Sequence, residues 1–62
     1  MTENNIHNLM TQMTQEQKSL WRIEKHYINE ANSNEEKAMW ESLRDDKKKH
    51  IEDFKKLIKE NI

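Results

Sequence analysis

Apolar residues return along this chain at steps of three and four, the spacing of one face of an α-helix, and the pattern comes in two blocks. The first block runs Ile6, Leu9, Met10, Met13, Leu20, Trp21, Ile23, Tyr27 and Ile28, with a gap at Glu16 and Gln17. The second runs Met39, Trp40, Leu43, Ile51, Phe54, Leu57 and Ile58, with a gap at Asp46, Lys47 and His50. These patterns predict a first helix over about residues 5–30 and a second over about 34–60, joined by a turn at about 31–33. Asn5 is a candidate N-cap for the first helix, after a polar start expected to fray. Thr14-Gln15-Glu16-Gln17 also fits a capping box, so the first helix is expected to begin or restart near Thr14 if it is not continuous.

The boundary between the blocks is the best specified. Asn29 to Asn34 breaks the periodicity, and Asn32 suits the left-handed residue that ends a helix where glycine is missing. Ser33 followed by Glu36 is a capping box, and Glu35 and Glu36 lie at the positive end of the new helix dipole. Asp45 with Lys49 and Glu52 with Lys56 are spaced as i,i+4 ion pairs. So short a connection makes the helices antiparallel neighbours. Tyr27 then comes level with Trp40, Ile23 with Leu43, Met13 with Phe54 and Leu9 with Leu57. Glu16 and Gln17 come level with Lys47 and His50, so the two gaps face each other as a polar layer.

The fold class expected is therefore all-α, a single helical-hairpin domain over 1–62. Its apolar surface is too wide for two helices touching along one strip. Leu43, Phe54 and Leu57 form the expected seam of helix 2. Leu20, Trp21, Ile28, Met39, Trp40, Ile51, Phe54 and Ile58 are the residues expected to meet other chains. Pairing of hairpins into a four-helix bundle, as a homodimer or a larger assembly, would cover them.

Composition narrows the function classes. The chain has 62 residues and neither Cys, Gly nor Pro, which excludes disulfides and thiolate metal sites and argues against hairpin-rich β structure. Charged residues make up 37% of it, yet the formal net charge is only −1, without the basic excess of a nucleic-acid binder. Acids flank Lys47-Lys48-Lys49 on both sides, which reads as a solvated face. No apolar run approaches the ~20 residues of a membrane span. The first residues lack the basic and apolar regions of a signal peptide, so a cytoplasmic protein without a membrane partner is expected. With no Gly-rich phosphate loop and no nucleophile beside a base, an enzyme is not favoured.

The run from Glu35 through Leu43, Arg44, Asp45, Asp46, Lys47 and His50 to Ile58 resembles the metal-binding helix of the ferritin-like superfamily. It is most similar to the rubrerythrin and two-helix encapsulated-ferritin types, whose helices carry an acidic residue, then Glu-x-x-His, then an apolar face. The resemblance covers roughly residues 14–60. It implies a four-helix scaffold with carboxylate and imidazole ligands for iron or manganese. His50 matches the family His, but Lys47 stands where the family has Glu, and the inward Glu of helix 1 aligns with Gln17 or Glu16. A standard di-iron centre is therefore not expected. Two readings stay open. One is a structural layer of Glu16, Gln17, Lys47 and His50 with no cofactor. The other is a reduced iron or manganese site of Glu16, Asp46 and His50 shared across a dimer. Glu24 is expected to accept a hydrogen bond at an interface, and His7 and His26 to be solvated; a further alternative is a small inhibitor or adaptor whose Trp and Met flank docks on a protein partner.

Overall fold

Ser33 starts the longer helix as its sequence dictates. Its backbone is extended, with φ −151° and ψ 165°, and its Oγ accepts a hydrogen bond from the Glu36 N–H at 3.1 Å. The hydroxyl in turn donates to Glu36 Oε2 at 3.2 Å. With Glu35 and Glu36 in the first turn and Lys59 in the last, both ends of the helix dipole face compensating charge. Helix α2 runs unbroken over Asn34–Glu60, and the Asn61 side chain closes it by donating to the Leu57 carbonyl at 2.6 Å.

The computed structural model describes residues 3–62. Helix α1 spans Glu3–Arg22 and passes into a π-helical turn at Ile23–Tyr27. Asn5 therefore lies inside the first turn rather than capping it. The fraying expected of residues 1–5 concerns in part Met1 and Thr2, which lie outside the described residues. Nor does the helix restart at Thr14. That hydroxyl donates to the Met10 carbonyl one turn back, at 3.0 Å, the bond of a threonine within a helix.

The end of the first helical segment differs from expectation. The Ile28 N–H reaches back five residues to the Ile23 carbonyl at 3.1 Å, and this i→i−5 bond defines the π-turn. The Glu30 N–H then bonds the His26 carbonyl at 3.0 Å before the chain turns through residues 28–33. No described residue has a positive φ, so Asn32 does not adopt the left-handed conformation expected of it. Widening the last turn does what a left-handed cap would otherwise do: it uses the terminal carbonyls and turns the chain.

The two helices lie side by side and antiparallel in a rod of 45 × 14 × 12 Å. Tyr27 and Trp40 pack near the turn with ring centroids 4.9 Å apart, as their expected level requires. On α1 the seam follows Ile6, Leu9, Met13, Glu16, Leu20, Ile23 and Tyr27, all at least half-buried. On α2 it follows Trp40, Arg44, Lys47, Ile51, Phe54 and Ile58. Both lists alternate steps of three and four, the spacing of a coiled-coil seam.

That seam corrects the expected division of α2. Ile51 is 6% exposed and buried inside the hairpin together with Ile58, whereas Leu57 is 43% exposed. Ile51 and Ile58 thus belong to the hairpin's own core rather than to an outer strip. The expected helix pairs Asp45–Lys49 and Glu52–Lys56 also give way to others. Asp45 accepts from Arg44 Nε at 3.0 Å, and Glu52 pairs with Lys55 at 3.5 Å. Among the described residues, no helix is long and apolar enough to cross a membrane.

Candidate functional site

The two gaps in the apolar stripes meet in a compact polar layer. The Lys47 ammonium donates to Glu16 Oε2 at 2.7 Å, and His50 Nδ1 lies 3.2 Å from Glu16 Oε1. Each carboxylate oxygen therefore has its own cationic or N–H partner from the facing helix. The Glu16 side chain is only 13% exposed and that of Lys47 22%. The bond from Lys47 holds the Glu16 carboxyl below the usual glutamate range, against the opposing pull of desolvation, and the contact with His50 adds to the lowering. An ionised carboxylate can only accept, so the imidazole proton on this side sits on Nδ1.

The layer's position on each helix follows from packing. Glu16 falls on the seam between Met13 and Leu20, and Lys47 falls between Arg44 and Ile51. Lysine can occupy such a place because its methylene stem packs on apolar neighbours while its head finds a partner. His50 stands one residue off the seam and is exposed. It lines a groove of about 330 Å³ with Glu16, Asp53, Phe54 and Leu57.

Other residues singled out from the sequence are dispersed. Gln17 is exposed and lines a separate groove on the opposite side of the hairpin, with Leu20, Lys48 and Ile51. It takes no part in the Glu16 contacts. Asp46 is exposed and also stands apart from them, so of the Glu16, Asp46 and His50 set only Glu16 and His50 meet. Among the described residues, no group of three His, Cys, Asp or Glu side chains is placed to share a metal ion. What the layer can do chemically is hold two helices in one register.

Glu24 bridges to Lys48 across the helices at 3.6 Å. His7 and His26 are both exposed. His7 pairs with the Thr11 hydroxyl one turn on at 3.4 Å, and His26 sets its ring edgewise to Trp21 with centroids 5.3 Å apart. The second contact was not legible beforehand, because it depends on the π-turn that follows Arg22.

The expected interface residues divide between two flanks. Trp21, 55% exposed, follows Met10 and Gln17 on the α1 flank beside Lys48. Met39, 62% exposed, shares the other flank with Leu57 on α2, beside His50. Leu20, Ile28, Trp40 and Phe54 are half-buried between these extremes. No known protein family, curated protein or solved structure matches the chain.

Proposed function

We propose that this chain is a self-associating interaction module. In this reading the hairpin completes its core by pairing with further copies as a four-helix bundle. The scaffold is ferritin-like, and a closed ion-paired layer occupies the position of a metal centre. One observation carries the reading: among its described apolar side chains the hairpin alone buries just Ile23, Ile51 and Ile58, and only Ile23 fully. A hairpin with so small a core needs a staple or a partner, and this one has no cysteine to staple. The lysine in the polar layer supports the cofactor-free form. Its ammonium occupies one oxygen of Glu16, where a cation such as iron or manganese would otherwise bind.

Sedimentation equilibrium with thermal melting at several protein concentrations tests the proposal. Association predicts a mass above 7.6 kDa and a melting point that rises with concentration, because assembly stabilises by mass action. A monomer that melts at one temperature throughout would refute it. Metal analysis of the same sample separates the cofactor-free form from a metal-loaded one.

A further inference from the structure

Resting on the self-association just proposed, we infer that the second copy docks on the flank carrying Met10, Trp21 and Lys48, antiparallel, about a two-fold axis level with the Glu16–His50 contact. The flank is defined by the Glu24–Lys48 bridge and by the groove that Gln17, Lys48, Glu52 and Lys55 line together. On α2 it continues in steps of three and four through Glu41, Asp45, Lys48, Glu52, Lys55 and Lys59. This sequence of charges complements its own reversal. Turned end for end about the level of His50, Glu41 meets Lys59 of the second copy, Asp45 meets Lys55, and Lys48 meets Glu52. A two-fold axis makes each pair twice, and every one joins opposite signs.

Helix α1 supplies an independent check on the centre. Its exposed apolar residues on this flank, Met10 and Trp21, exchange places about a point between Gln15 and Glu16. The intervening Thr14 then meets Gln17 of the second copy, polar against polar. Glu16 and His50 are in contact at 3.2 Å, so the centre that pairs the charges on α2 is also the centre that pairs Met10 with Trp21 on α1. One axis satisfies both helices, as an isologous interface requires. Most of these charges are open to a second copy: Asp45, Lys48, Glu52 and Lys55 are all more than half exposed, and Lys59 is exposed while Glu41 is half-buried. The opposite flank fails the same construction. Pairing Met39 with Leu57 of another copy there sets Leu43 against Asp53.

Charge exchange tests the geometry. Glu41→Lys with Asp45→Lys makes this edge of α2 basic except at Glu52. Lys55→Glu with Lys59→Glu makes it acidic except at Lys48. Each variant alone should lose self-association by more than about tenfold in Kd, since four pairs become repulsive. An equimolar mixture should restore a one-to-one dimer, because all the pairs become opposite again. Circular dichroism establishes that each variant is helical, and Trp21→Glu, which leaves this charge pattern intact, should also give a monomer. Undiminished self-association of each charge variant alone would overturn this interface while leaving the self-association reading standing. A monomeric wild-type protein would overturn both.

Discussion

Replacing Lys47 by methionine puts the polar layer to its sharpest test. Lys47→Met keeps the unbranched stem of the side chain and its packing but withdraws the ammonium held 2.7 Å from Glu16. The carboxylate, 13% exposed, then keeps only its contact with His50. A lost hydrogen bond to a charged group costs about 1.5–3 kcal/mol. The upper figure of ~3–5 kcal/mol belongs to fully buried pairs, and this layer is wetter than that. At roughly 4–8 °C per kcal/mol for a domain of this size, the melting point should fall by about 6–24 °C. The reverse single change should cost less. In Glu16→Leu the Lys47 head can turn to solvent on its flexible stem, the side chain being already 22% exposed, so about 0.5–1.5 kcal/mol is expected. The double variant joins two apolar groups and should lie within ~1 kcal/mol of the wild type or above it. Urea unfolding at pH 7 and one fixed protein concentration gives all four corners of the cycle. If the two single effects simply add, within about 0.5 kcal/mol, the residues are not coupled and the layer does not set the register.

Four further expectations are more compact. Ser33→Ala removes the acceptor for the Glu36 N–H and should lower stability by ~0.5–2 kcal/mol, read from the urea midpoint; an unchanged midpoint would show that the cap is idle. Ile23→Ala should cost ~2–5 kcal/mol, because the side chain is the most completely buried of the described residues, and a loss under 1 kcal/mol by the same assay would place the core elsewhere. Since the folded Glu16 carboxyl titrates below its unfolded value, its stabilisation is present above the ordinary glutamate range and is lost as pH falls through the depressed folded value. Glu16→Gln should therefore flatten the acid limb of the stability–pH curve, and an unaltered limb would contradict the assignment. Lys47→Glu creates Glu-x-x-His and should raise iron or manganese binding in titration calorimetry, whereas no gain over wild type would count against the proposed ferritin-like scaffold.

The sequence carried the register of the hairpin more clearly than its rotation. Two polar gaps in two apolar stripes could be matched in one way, and Glu16 does meet Lys47 and His50. The start of α2 was equally legible because a capping box is a local arrangement, made by residues three apart. Rotation of α2 was less so. Its apolar residues cover a broad arc, and the true seam includes Arg44 and Lys47, which a hydrophobicity pattern passes over. Long cationic stems behave as apolar matter at a seam, so Ile51 and Ile58 read as flank when they are core. The π-turn has no signature in residue type, and with it went the helix end expected at Asn32 and the Trp21–His26 contact.

The height of the polar layer along the rod also bears on how quickly the molecule finds its fold. Contacts beside the turn are nearly local, and Tyr27 reaches Trp40 by closing a short loop of chain. Glu16 and His50 are 34 positions apart, and every contact beyond them is more distant still. Loop-closure entropy therefore favours zippering outward from residues 28–33, with the open ends joining last. A chain that began zippering two helical turns out of step could still bury isoleucine against leucine for much of its length. On arriving at Glu16 it would find neither Lys47 nor His50, and an unpaired carboxylate would be held between apolar walls. Partial reopening is then easier than continuing. The layer would act as proofreading during folding: slipped hairpins would be short-lived, at the cost of a slower final closure than an all-apolar seam would allow.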